Sequence, residues 1–133
     1  LATKTKLEIL KISDVVIAMT TQKLHSLQEL RNIIDGGKIL NKDNTLIALG
    51  RYDDKMKFNA KNLSRNVLKQ SKIINTIPYC SLVFEAIQEG KLIDVLWRIL
   101  NLKDKDENYL LIQELHRLNQ DIENMVTMLR MRR

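Results

Sequence analysis

The sequence predicts an all-α fold, in which residues 1–133 form a single compact helical domain, a bundle of five to six helices. Three observations favour this class. The chain has only 4 glycines and 1 proline, whereas a many-stranded β protein needs more turn-forming residues. Apolar residues recur at steps of three and four along most of the chain. A length of 133 residues and a hydrophobic content of 44% suit one domain with one core.

Local signals place the individual helices. The predicted helices are residues 3–19, 21–35, 60–75, 78–90 and 91–102, and a last helix that is capped by Asp104 or Asp106 and runs to about residue 131. Thr21 and Asn59 are expected to cap two of them, and Pro78 is expected in the first turn of the fourth, where its missing N–H is not needed. Glycines at 36–37 and 90 suit helix ends. Residues 38–58 are the least regular part, with at most a small strand pair.

The basic residues are unevenly distributed. The formal net charge is +6, and the stretch from position 51 to position 72 holds seven basic residues against two acidic ones. These seven are Arg51, Lys55, Lys57, Lys61, Arg65, Lys69 and Lys72. On a helix over 60–75 the last four fall on one face, roughly opposite the apolar Leu63 and Val67. Such a stripe suits nucleic-acid or nucleotide phosphates, although a solvated face that keeps the chain soluble would look the same.

Several kinds of site are absent from the sequence. His25 and His116 lack partners at metal-binding spacing, and one cysteine, Cys80, permits neither an intrachain disulfide nor a cysteine-rich metal site. There is no phosphate-binding glycine loop and no nucleophile motif. We therefore expect a binding protein rather than an enzyme, with no metal and no cofactor. Neither a secretory signal nor a membrane span is evident, which predicts a cytoplasmic protein without a membrane partner.

The stretch "IPYCSLVFEAIQEG" carries a family resemblance. It resembles the start of the iron–sulfur domain in the large subunit of archaeal and eukaryotic DNA primases, where Phe-Pro-x-Cys opens a helix that continues with an apolar pair and an acidic residue. The corresponding residues here are Ile77, Pro78, Cys80, Ala86, Ile87 and Glu89. The match covers fewer than twenty residues. The family binds its cluster through four cysteines, so a chain with one cysteine would be a cluster-free relative.

The resemblance implies an accessory, non-catalytic primase subunit, like the small third subunit of some archaeal primases. Its partners would be the primase catalytic and large subunits, template DNA and the initiating nucleoside triphosphate. In the family, basic residues on the helix after the Pro-Cys helix bind that triphosphate. The residues in the matching region here are Arg98, Lys103 and Lys105. The family's Arg-His-Gly-Gly-Arg run is absent.

Two other functions are compatible with the sequence. The first is a helical adaptor in transcription or chromatin that binds a partner helix, which an exposed apolar surface beside the last helix would favour. The second is a helical DNA-binding regulator, with residues 60–75 as its recognition helix. Trp97 is expected to be at least partly buried, and Cys80 to be a buried, inert thiol.

Overall fold

The computed structural model describes residues 3–37, 39–40, 43–67, 74–101, 106 and 108–132, and within these it contains a three-stranded parallel sheet. The strands are β1 (Val16–Thr20), β2 (Thr45–Tyr52) and β3 (Asn75–Pro78), in the order β1-β2-β3. Both pairings are parallel, with Ala18 beside Ile47 and Leu49 beside Thr76. The protein is therefore mixed α/β, and the prediction of an all-α bundle is wrong.

Helices connect and flank the strands. Their bounds are α1 (Lys4–Ile12), α2 (Leu24–Gly36), α3 (Ala60–Asn62) continued by a π-helix (Leu63–Val67), α4 (Ser81–Glu89), α5 (Leu92–Leu100) and α6 (Tyr109–Met131). Parallel strands must be joined by crossovers rather than by tight turns, and here α2 and the α3–π segment lie in the two crossovers. A low glycine and proline content therefore does not exclude this kind of sheet.

Three predicted helices were wrong in part because each contains a strand. The first helix ends at Ile12, and the β-branched run from Val16 begins β1. The third is helical only from Ala60 to Val67 in the described residues, and Asn75 already belongs to β3. Pro78 is the last residue of β3 instead of a first-turn residue, and α4 starts three positions later.

Several local signals were interpreted correctly. The Asn59 side chain accepts a hydrogen bond from the Asn62 N–H and so caps α3. Gly37 and Gly90 end α2 and α4 in the left-handed conformation that favours glycine.

The predicted cap at Thr21 is wrong, because α2 begins after Lys23, which makes no side-chain capping bond.

One hydrophobic cluster forms between the sheet and the helices of the crossovers. The central strand β2 is buried at four of its first five positions, as expected when both neighbouring strands and a covering helix exclude water. The buried members of this cluster are Leu27, Leu30, Ile34, Ile47, Leu49, Leu63 and Ile74. Leu63 was predicted on the apolar side of its helix, and it is fully buried.

A second cluster joins the three C-terminal helices. Its buried members are Ala86, Val95, Ile99 and Ile112, from α4, α5 and α6. The long helix α6 runs antiparallel to β3, since its Glu114 accepts a hydrogen bond from Thr76 at 3.0 Å and its Asp121 accepts one from Asn75 at 2.7 Å. In the part of the chain that the structure describes, no helix has both the length and the apolar character needed to cross a lipid bilayer.

Candidate functional site

All three strands end at the same edge of the sheet because they are parallel. We call this the carboxyl edge and define it as the segments 20–23, 51–59 and 78–81, which follow or finish β1, β2 and β3. In open α/β sheets ligands bind outside the carboxyl ends of the strands. Helices α2 and α4 begin directly after this edge, so their N-terminal N–H groups and positive dipole ends are directed towards it.

Neither of these two helices is capped by a side chain. The N-cap residues are Lys23 for α2 and Cys80 for α4, and neither side chain accepts a hydrogen bond from its helix. The Cys80 thiol instead donates to Asn108 Oδ1 at 3.3 Å, which brings the beginning of α6 to the same edge. Cys80 is half-buried, so the expectation of a buried thiol is wrong. The first-turn N–H groups of both helices are thus available to an anion or to water.

Arg51 occupies an unusual backbone position at this edge. It is the one non-glycine residue with positive φ, at 51°, among the residues that the structure describes. It lies where β2 takes three steps, from Leu49 to Tyr52, while β3 takes two, from Thr76 to Pro78. This extra residue is a β-bulge, a feature that redirects a side chain and is common beside functional sites. The side chain that the bulge redirects is an exposed cation.

The Arg51 side chain lies over the exposed ring of Phe84, which in turn neighbours the exposed ring of Tyr79. Its guanidinium carbon lies 6.0 Å from the centre of the Phe84 ring, in the first turn of α4. The Phe84 and Tyr79 ring centres are 6.4 Å apart, with planes inclined by 47°. Tyr79 is 56% exposed and Phe84 41% exposed. A cation and two exposed aromatic side chains are therefore grouped where α4 begins.

The loop after β2 adds further positive charge. Residues 53–58 contain Lys55 and Lys57, both with exposed side chains. The Tyr52 hydroxyl accepts a hydrogen bond from the Ala60 N–H at 3.0 Å, which connects the end of β2 to the beginning of α3. Lys61 is exposed in α3, and Arg65 is exposed in the following π-helix. Four of the seven predicted phosphate-binding residues, those at 51, 55, 57 and 61, thus lie at or next to the carboxyl edge.

The other predicted site residues are placed differently or not described. Lys69, Lys72, Lys103 and Lys105 lie outside the described residues. Arg98 is exposed in the last turn of α5, on an element separate from the basic loop. The predicted helix over 60–75 is wrong in its described parts, because Leu63–Val67 is a π-helix and Asn75 begins β3. The described His, Cys, Asp and Glu side chains form no group of three suited to a metal ion.

Sequence reasoning missed the two aromatic residues of this site. Tyr79 and Phe84 were interpreted as part of a proline-opened amphipathic helix, which gave them no role. The available signal was the alternation of stretches rich in apolar and β-branched residues, near 15–19, 45–49 and 74–77, with helical segments, which is typical of a parallel sheet. Had that alternation been used, the residues after each run would have been placed together at one edge.

Comparison with known proteins adds nothing to the geometry: no family model, no curated protein and no solved structure matches this chain.

Proposed function

We propose that the chain is a non-catalytic binding protein whose carboxyl edge holds a nucleotide unit, as a free nucleoside triphosphate or within single-stranded DNA. The observation that carries the proposal is the grouping of Arg51 with the exposed rings of Tyr79 and Phe84 at the beginning of α4. A nucleotide unit needs a cation or N–H donors for its phosphate and an accessible ring face for its base.

The charges and the aromatic rings complement the two parts of such a ligand. Arg51, Lys55 and Lys57 offer cations, and the uncapped first turn of α4 offers backbone N–H donors. Stacking of a base on an aromatic side chain contributes about 1–3 kcal/mol and does not require a particular base. The site therefore favours affinity for nucleotides over recognition of a DNA sequence.

Binding of a fluorescent ATP analogue and of a labelled oligothymidylate, followed by fluorescence anisotropy, tests the proposal. We expect both to bind, and the oligonucleotide affinity to fall between about 50 and 200 mM salt as phosphate contacts release counterions. Tyr79→Ala and Phe84→Ala should each weaken binding by about 1–3 kcal/mol with little change in the salt slope. Arg51→Ala should weaken binding and also lower the slope.

Arg130→Ala is the matched control for Arg51→Ala. Arg130 is exposed in the last turn of α6, which runs away from the carboxyl edge, so its removal should change the net charge equally and binding hardly at all. Equal losses of ligand affinity in Arg51→Ala and Arg130→Ala would show that binding depends only on the overall charge of the protein. Unchanged binding in both aromatic variants would contradict a base-stacking site.

The DNA primase role is the narrower form of this proposal. It keeps the expectation that Arg98 binds the initiating nucleotide in a complex with the primase catalytic and large subunits. Residues Pro78 and Cys80 of the resemblance precede α4, so the helix itself opens at Ser81. In a reconstituted primase, Arg98→Ala should raise the nucleotide concentration needed for initiation and leave primer extension unchanged. Failure of the chain to join the catalytic subunit would remove the primase role and leave nucleotide binding untouched.

An apolar groove favours the adaptor as a second candidate function. It has a volume of about 290 Å³ and lies between the beginning of β2 and the second half of α6. Its apolar lining comes from Leu46, Ile47, Met125, Met128 and Leu129. Such a groove suits the apolar face of a partner helix. Met128→Glu should abolish that association and leave nucleotide affinity unchanged, which separates the two functions.

A further inference from the structure

The side chain of Gln22 connects two of the loops at the carboxyl edge. Gln22 follows β1 and is only 5% exposed. Its Nε2 group donates to the Asp53 carbonyl at 2.8 Å and to the Phe58 carbonyl at 2.9 Å, and its Oε1 atom accepts from the Asp53 N–H at 2.8 Å. Both N–H groups of the amide and one oxygen lone pair are thus engaged by the backbone of the loop after β2.

These three bonds close the basic loop. Asp53 and Phe58 are the first and last residues of the six-residue segment that contains Lys55 and Lys57, so one buried amide joins its two ends. Within the segment, the Lys55 N–H donates to Asp53 Oδ1 at 2.9 Å. The segment after it is also anchored, since the Asn62 side chain donates to the Lys57 carbonyl at 2.9 Å. The two lysine side chains remain exposed outside this frame.

We infer that Gln22 is a positioning residue for the ligand site, which holds the loop 53–58, with its exposed Lys55 and Lys57, in place at the carboxyl edge before the ligand arrives. The inference rests on the proposed function. A loop that is already ordered in the free protein loses little conformational entropy when a phosphate binds, and this raises the affinity for the phosphate. Without the Gln22 amide, the loop would become ordered only when the ligand binds, so the lost entropy would lower the binding affinity.

Glutamine is the side chain that this arrangement requires. Methionine has a similar length and volume but cannot donate to the two carbonyls or accept from the Asp53 N–H. Glutamate can accept from that N–H, but its carboxylate would face two carbonyl oxygens without a proton to share. Gln22→Met therefore removes the three bonds while keeping the packing volume. Gln28→Met is the matched control, because Gln28 is exposed on α2.

The experiment compares ATP-analogue and oligothymidylate affinity in the full chain, wild type and Gln22→Met, with amide hydrogen exchange of residues 53–58 measured without ligand. We expect faster exchange in this loop, about ten-fold weaker binding and a lower salt slope in Gln22→Met, and no change in Gln28→Met. The double variant Lys55→Ala/Lys57→Ala should lower the slope similarly. Adding Gln22→Met to it should cost little more affinity, because Gln22 acts through those lysines.

The outcomes separate this inference from the proposed function. If the wild-type protein binds neither ligand, the proposed function is wrong, and Gln22 then has no role in ligand binding. Wild-type binding together with unchanged affinity and slope in Gln22→Met overturns the positioning role alone. If Gln22→Met does not fold, the two lysines still decide, because both are exposed: an unchanged slope in Lys55→Ala/Lys57→Ala overturns the inference.

Discussion

At the scale of single residues, Arg51 combines backbone strain with an exposed charge. A left-handed conformation costs a residue with a Cβ atom roughly 1–2 kcal/mol, which glycine does not pay. The rest of the fold must offset that cost to keep Arg51 on the bulge of β2. Strain at an exposed cation that lies over the exposed ring of Phe84 is consistent with a residue retained for binding.

Replacement of Arg51 by glycine tests that interpretation. Arg51→Gly relieves the strained φ of 51°, so the free energy of unfolding should stay the same or rise by up to about 1 kcal/mol. Affinity for the ATP analogue should fall at the same time. Urea unfolding and anisotropy titrations on the same samples measure the two effects. A clear loss of stability would mean that the Arg51 side chain holds the fold together and is not kept for a ligand.

Trp97 was expected to be at least partly buried because of its apolar neighbours, but it is mostly exposed. It stands between buried positions of α5, at Val95 and Ile99, yet its own side chain is 66% exposed. Residues two apart on a helix point about 200° away from each other, so burial of those neighbours turns Trp97 outwards. We expect Trp97→Gln to change the free energy of unfolding by no more than about 0.5 kcal/mol.

Fluorescence reports on Trp97 directly, because it is the only tryptophan in the sequence. The native protein should show red-shifted emission and ready quenching by acrylamide, close to that of the unfolded chain. Blue-shifted emission that acrylamide quenches poorly would place the ring in a core or an interface and contradict the exposed position.

At the scale of elements, Gly90, which follows the last residue of α4, differs in backbone conformation from Gly36, which is part of α2. Gly90 has a φ of 71° and closes α4, and apart from its own residue and its chain neighbours no atom lies within 4 Å of the position a Cβ would take. Gly36 also has open space there, but it is the last residue of α2 and its φ is not positive. The two sites therefore differ in backbone conformation and not in crowding.

Alanine at these two sites should act in opposite directions. Gly90→Ala is expected to lower the free energy of unfolding by about 1 kcal/mol because alanine is strained in the left-handed region. Gly36→Ala should raise it by about 0.5–1 kcal/mol because alanine favours the helix and restricts the unfolded chain. Thermal or urea unfolding of the pair measures both changes. Destabilisation by Gly36→Ala would contradict the helical conformation at that position.

Some helix ends could be predicted from the sequence, but the pairing of the strands could not. Asn59, Gly37 and Gly90 act through neighbours within a few residues, so their signals are local. The pairing of β1 with β2 joins Val16 to Thr45, nearly thirty residues away, and no local pattern specifies it. Buried parallel strands are also short apolar runs, which helix and strand share.

The candidate site was predictable only in its charges. A count of basic residues identifies Arg51, Lys55 and Lys57 without any knowledge of the fold. Two features depend on which strands are neighbours in the sheet. They are the grouping of Tyr79 and Phe84 with Arg51 and the hydrogen bonds of Gln22 to the loop after β2. Once Asn75 and Pro78 were assigned to helices and residues 38–58 to at most a small strand pair, these contacts could not be anticipated.

At the scale of the whole molecule, the parallel sheet concentrates one kind of chemistry at one edge. The basic side chains of Arg51, Lys55 and Lys57, the first turns of α2 and α4, and the exposed rings of Tyr79 and Phe84 all lie at or next to this edge. The groove beside α6 lies along the opposite half of that helix, near its C-terminal end. The two surfaces are distinct, so ligand and partner binding can be tested independently.

The most direct test of the central claim is a nuclear magnetic resonance titration of the isotopically labelled chain with ATP, and a mass of 15.5 kDa suits this method. We predict that the amides whose shifts change most belong to residues 20–23, 51–59 and 78–84, which contain the carboxyl edge and the first turn of α4. Saturable changes confined to these segments would support the nucleotide site. Changes that cluster instead around Met125 and Met128, or no saturable change at all, would contradict it.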